Sequence, residues 1–78
     1  MITSNVKAIM KGKGVTLRGL VDLSGVSKQT ILTARSDEGL ADCRLSTLGR
    51  IANALEVPLK DLFDGEYEVV KKSKPQSV

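Results

Sequence analysis

The stretch TLRGLVDLSGVSKQTILTA, Thr16 to Ala34, decides the fold, because it reads as two short helices joined by a glycine turn. Thr16 is a good N-cap, and Leu17, Leu20 and Val21 follow at i, i+3 and i+4, one apolar stripe on a helix. Gly25 ends that helix: without a Cβ it takes a positive φ at no steric cost, so the chain turns sharply into Val26, whose side chain returns to the core. Ser27 caps the second helix, in which only Ile31 and Ala34 need to face inward. Lys28, Gln29, Leu32 and Thr33 are left looking outward.

Working outward, LSTLGRIANALEVPLKDLF, Leu45 to Phe63, is a second organised stretch. Leu45, Leu48, Ile51, Ala52 and Leu55 share one helical face, with Arg50, Asn53 and Glu56 off it. Pro58 suits a first helical position, where its missing N–H is no loss, so a short fifth helix is expected to about Phe63 with Leu59, Leu62 and Phe63 inward. Upstream, Thr3 or Ser4 is expected to cap a first helix with Val6, Ile9 and Met10 inward and Lys7 and Lys11 outside; Gly12 and Gly14 stop it. Ser36 to Cys43, SDEGLADC, reads as an acidic connection rather than an element. Beyond Asp64 and Gly65, Tyr67, Val69 and Val70 alternate weakly with Glu66 and Glu68, which permits a short strand, and KKSKPQSV reads as a disordered basic tail.

Together the two stretches resemble the helix-turn-helix regulators of the Cro and phage-repressor (XRE-type) family, over about residues 5 to 63. Thr16, Leu20, Gly25, Val26, Ser27 and Ile31 fall at that family's punctuation. Val21 stands where its members commonly carry Ala, and Arg35 where they often carry Glu. The resemblance implies an all-α, compact five-helix, lambda-repressor-like DNA-binding domain over residues 1–65, with residues 66–78 as a short C-terminal extension. It further implies a sequence-specific regulator, a repressor in this reading, whose second motif helix reads the major groove of a double-stranded operator as a homodimer.

Residue by residue, it points to Lys28, Gln29, Leu32 and Thr33 at base edges. A carboxamide such as Gln29 matches adenine's donor and acceptor, Lys28 reaches guanine or a phosphate, and Leu32 and Thr33 offer apolar contact to thymine methyls. Phosphate contacts fall to Thr16, Arg18, Thr30, Arg35, Arg44, Ser46 and Thr47, which position the protein without reading sequence. Dimer contacts fall to Leu59, Leu62, Tyr67 and Val69. Outside the motif, Lys28 and Gln29 would be an ordinary solvated face and Leu32 an ordinary core residue.

Composition narrows the classes. Seventy-eight residues suffice for one small domain, and with one Tyr, one Phe and no Trp its core must be aliphatic, which suits packed helices. A chain this size buries only about 60% of its unfolded surface, so modest stability is expected. No apolar run of membrane-spanning length and no signal-peptide pattern occurs, so a cytoplasmic protein is expected. Cys43 is the only cysteine and His is absent, so no internal disulfide, zinc site or Cys–His nucleophile can be assembled. Neither an enzyme nor a cofactor is expected.

Charge is unevenly spread behind a net +3. Residues 1–35 hold Lys7, Lys11, Lys13, Arg18, Lys28 and Arg35 against the single acid Asp22, whereas residues 36–70 are acidic. The first half is therefore the phosphate-facing side in the DNA-binding reading. The competing reading is a protein-interaction module, an antitoxin-like adaptor in which the acidic half meets a protein partner. Affinity for duplex DNA discriminates the two.

Overall fold

Helix ends in this chain are written by hydroxyls and glycines. The computed structural model describes residues 2–65. In chain order these form β1 (Ile2–Ser4), α1 (Val6–Lys13), α2 (Leu17–Ser24), α3 (Lys28–Ala34), α4 (Asp37–Ala41), α5 (Leu45–Leu55), a 3-10 turn (Leu59–Leu62) and β2 (Phe63–Gly65). The oxygens of Thr16, Ser27 and Ser36 accept from the N–H groups of Gly19, Thr30 and Gly39, capping α2, α3 and α4. Each such cap stabilises its helix by about 1 kcal/mol. Gly14 and Gly25 end α1 and α2 at φ 68° and 72°, left-handed values that a Cβ disfavours.

α5 is the central post. Leu48, Ile51, Ala52 and Leu55 are buried along it, packed with Val6 and Met10 of α1, Leu20 of α2, Ile31 and Ala34 of α3, Leu40 of α4 and Leu62 of the 3-10 turn. Among the described residues every buried side chain is apolar. Each buried Leu, Ile or Val contributes about 1.5–3 kcal/mol, so this aliphatic cluster is what offsets the chain's ordering entropy.

Several expectations need correction. Neither Thr3 nor Ser4 is the N-cap of α1, although the Ser4 hydroxyl oxygen accepts from the Val6 N–H at 3.4 Å: both lie in β1, which pairs antiparallel with β2 in the register Ile2–Gly65, Thr3–Asp64 and Ser4–Phe63. Asn5 occupies the N-cap position without a side-chain cap bond, because its carboxamide donates instead to Asp64 Oδ2 (3.0 Å) and the Asp61 carbonyl (3.3 Å). Strand pairing thus falls at residues 63–65, against the chain's own beginning. The strand expected around Tyr67 and Val69 lies outside the described residues. α1 also runs through Gly12 to Lys13 before Gly14 ends it.

Ser36 to Cys43 is not a plain connection. It holds α4, with Ser36 as N-cap, Asp37 and Glu38 in the first turn and Leu40 buried. Those carboxylates sit at the positive end of the helix dipole, so the acidity that suggested a loop favours a helix start. Leu45, expected on the inward face of α5, is 69% exposed. It begins the helix, one turn before the buried face is reached. The expected fifth helix is a 3-10 turn preceded by Pro58 in extended conformation, and Phe63 has already left it for β2.

Candidate nucleic-acid interface

α2 and α3 meet across the Gly25 turn, with Leu20, Val26 and Ile31 buried beneath them. Ser24 supports the corner: its hydroxyl donates to the Leu20 carbonyl (2.7 Å) and accepts from the Val26 N–H (3.1 Å). These bonds hold two helices at a fixed angle through a loop of three residues. Rigid placement of a short helix is what lets side chains meet base edges in register.

On the outer face, Lys28 and Gln29 are exposed in the first turn of α3, and Leu32 is 39% exposed one turn on. An exposed leucine beside two polar side chains is unfavourable in water and suited to an apolar edge. Lys28 shares a groove with Leu17, Arg18, Val21 and Asp22 of α2, so Arg18 and Lys28 stand on the same side of the motif. Thr33 is exposed, but its groups are engaged: Oγ1 donates to the Gln29 carbonyl (2.9 Å), and Cγ2 lies against α4, where a Cβ at Gly39 would come within 2.7 Å of it. Thr33 therefore serves the α3–α4 junction, and Lys28, Gln29 and Leu32 are the freer side chains of the face.

The expected phosphate-contacting residues occupy three places. Thr16 and Arg18 are exposed at the start of α2, where the Thr16 oxygen accepts from the Gly19 N–H (3.0 Å). Thr30 is half-buried, its Oγ1 accepting from the Ser27 hydroxyl (2.9 Å), and Arg35 is the half-buried C-cap of α3. Arg44 and Ser46 are exposed and Thr47 half-buried at the start of α5. No side chain caps α5, so its first N–H groups and its positive dipole end are open to an outside acceptor.

Of the expected dimer contacts, Leu62 is fully buried in the chain's own core, and its place there corrects the expectation that it offers surface to a partner. Leu59 is half-buried, whereas Tyr67 and Val69 lie outside the described residues. Cys43 is half-buried next to α5; burial, with the charge of Asp42 adding to it, pushes its thiol up. A thiol so placed stays protonated at neutral pH and behaves as a small apolar side chain.

Sequence reasoning missed the α3–α4 junction, which sets how α3 ends. Ser36 Oγ donates to the Thr33 carbonyl (2.9 Å) and accepts from the Gly39 N–H (3.0 Å), tying the end of one helix to the start of the next. Gly39 allows this approach, since a Cβ there would overlap the Thr33 carbonyl oxygen and come within 2.6 Å of Ser36 Oγ. The signal was present in the order Ser36, Asp37, Glu38: an N-cap hydroxyl followed by two first-turn acids.

Among the described residues no helix is long and apolar enough to cross a membrane. Comparison with curated proteins gives no match. Residues 5–67 match the family model of the Cro/C1-type HTH DNA-binding domain, a span that takes in every helix just described. Because that match spans α2, the Gly25 turn, α3 and the helices around them, this chain belongs to the Cro/C1-type helix-turn-helix DNA-binding domains.

Proposed function

We propose that the protein is a sequence-specific repressor that binds a double-stranded operator as a homodimer, inserting α3 into the major groove. The observation that carries this is the outer face of α3, where Lys28, Gln29 and Leu32 are exposed on a helix held from beneath by Leu20, Val26 and Ile31. In this reading Gln29 meets an adenine edge, Lys28 a guanine or phosphate, and Leu32 and Thr33 thymine methyls, the Thr33 hydroxyl being engaged with the Gln29 carbonyl. Arg18, Arg35 and Arg44 face phosphates, joined by the hydroxyls of Thr16, Thr30, Ser46 and Thr47.

Dimerisation follows from information content. One seven-residue helix spans too few base pairs to discriminate, and two copies on half-sites roughly 34 Å apart double the reading. Leu59 and the segment carrying Tyr67 and Val69 are the proposed contacts. Selection of bound sequences from a random duplex pool, followed by sedimentation of the complex, tests the whole reading. A two-fold symmetric consensus bound by two chains is expected; a pool without enrichment overturns it.

A second reading, the interaction module, is favoured by a different observation. Leu45 stands exposed at the mouth of an apolar groove formed with Ile2, Leu40, Ala41, Cys43, Leu48 and Phe63. Absence of duplex binding at low salt makes this the better reading.

A further inference from the structure

A groove between the first helix and the end of α3 gathers three cations, only one of which, Arg35, belongs to the proposed contact set. Lys7 and Lys11 of α1, Arg35 at the end of α3, and the apolar side chains of Met10, Val15 and Leu17 line one cavity of about 290 Å³. Among the described residues no carboxylate lines it. Lys7 and Lys11 are exposed and one helical turn apart on one face, whereas Arg35 is half-buried and approaches from another helix. Three like charges around one groove repel one another, an arrangement that an anion reverses. The walls matter too, because cations over an apolar floor focus their field more strongly than the same cations on a flat wet surface. α2 adds to the effect: Leu17, its first residue, forms part of the floor, so the positive end of that helix dipole lies at the rim.

We infer that the groove between Lys7, Lys11 and Arg35 is a phosphate-binding site, and that on the operator it holds a backbone phosphodiester flanking the bases read by α3. The first helix then takes part in DNA binding alongside the motif, and Arg35 is one wall of a clamp rather than an isolated contact. The DNA source of the phosphate rests on the function proposed above; the site's affinity for a phosphate group does not.

The test uses the full chain with Lys7→Gln, Lys11→Gln and the double substitution, and Lys60→Gln as a charge control. Gln has nearly the helix propensity of Lys, and both lysines are exposed, so the variants keep α1. Lys60 lines a different groove, beside Asp61 and Asp64. Affinity for selected and for random duplex is measured against salt, and inorganic phosphate is titrated into labelled protein while the signals of Lys7, Lys11 and Arg35 are followed by NMR. The expected result is a salt slope lowered by about one unit per lysine and about two in the double variant, with both duplexes weakened alike and Lys60→Gln without effect. A slope unchanged by the double substitution, with no saturable response to phosphate, overturns the site. If the slope is unchanged but phosphate shifts the three signals saturably in the native chain and not in the double variant, the site holds free phosphate and the DNA assignment falls. Should the native chain bind no duplex, the proposed function fails, and the phosphate titration alone decides the groove.

Discussion

The backbone N–H of Ser4 donates to Oδ1 of Asp37 across 2.8 Å, joining residues 33 apart in sequence, while the Ser4 hydroxyl donates to the Ala34 carbonyl across 2.7 Å. Through one residue the first strand is fastened both to the last carbonyls of α3 and to the first turn of α4. The next residue, Asn5, donates its N–H to the Leu62 carbonyl and so reaches the other end of the domain. Ser4 and Asn5 therefore bridge the end of α3 and the 3-10 turn. Asp37→Ala is expected to lower stability by about 1 kcal/mol, and Asp37→Asn, which keeps an oxygen acceptor, by less. Urea unfolding of the two variants checks this. Equal losses, or none, would mean the bond contributes nothing.

Gly39→Ala sets two effects against each other. Intrinsic propensity favours Ala in a helix by about 1 kcal/mol, but a Cβ here would overlap the Thr33 carbonyl oxygen. Backbone cannot yield as a side-chain tip can, so the steric term decides, and a net loss of about 1–3 kcal/mol is expected, together with weaker operator binding as the end of α3 is displaced. A stabilised variant would show that α3 and α4 can separate freely.

Gln29→Ala and Arg18→Ala are expected to fail differently. Removing the carboxamide should cost about 1–3 kcal/mol on the preferred operator and little on random duplex, leaving the salt dependence nearly unchanged. Removal of Arg18 should weaken both duplexes alike and lower the salt slope by about one unit. Fluorescence anisotropy with both duplexes across a salt series measures each quantity. Discrimination that survives Gln29→Ala would mean α3 does not read bases through that residue.

Leu45 and Leu48 are three residues apart on the same helix, yet one is 69% exposed and the other 4%. Leu48→Ala should cost about 2–5 kcal/mol, enough to unfold much of so small a domain. Leu45→Ala should change stability by less than about 0.5 kcal/mol. Thermal melts of the two variants provide the comparison, and similar losses at both would place Leu45 in the core.

Glu56 ends α5 at φ 58°, the single left-handed non-glycine among the described residues. The N–H of Val57 donates to the Ala52 carbonyl (3.0 Å) and that of Glu56 to the Asn53 carbonyl (3.1 Å), a helix-ending pattern for which glycine is the usual residue. Glu56→Gly is expected to stabilise the domain by about 1 kcal/mol, with relief of Cβ strain exceeding the entropy gained by the unfolded chain. Chemical denaturation checks the sign; a destabilised variant would mean the glutamate side chain holds something that outweighs the strain.

By itself the sequence determined what is local. Thr16 and Ser27 as caps, Gly25 as the turn, Leu20, Ile31, Leu48, Ile51, Ala52 and Leu55 as core, and Lys28, Gln29 and Leu32 as an outer face all follow from groups within one or two helical turns of each other, where helical period and capping chemistry act. Tertiary structure decided whatever depends on partners distant in the chain. Ser4 is not the N-cap of α1 because strand pairing with Phe63 places it in β1, where its N–H goes to Asp37 and its hydroxyl donates to Ala34, leaving only a long contact (3.4 Å) from the Val6 N–H to its oxygen. Thr33 stays exposed but has its methyl against α4 because Gly39 lets that helix approach, and Leu62 leaves the surface because α5 packs against the 3-10 turn. Lys7, Lys11 and Arg35 share a groove only once α1 lies beside the end of α3. A hydrogen bond or a like-charge encounter between residues some thirty positions apart leaves no period in the sequence. It exists only after the apolar stripes have packed and brought those residues within reach.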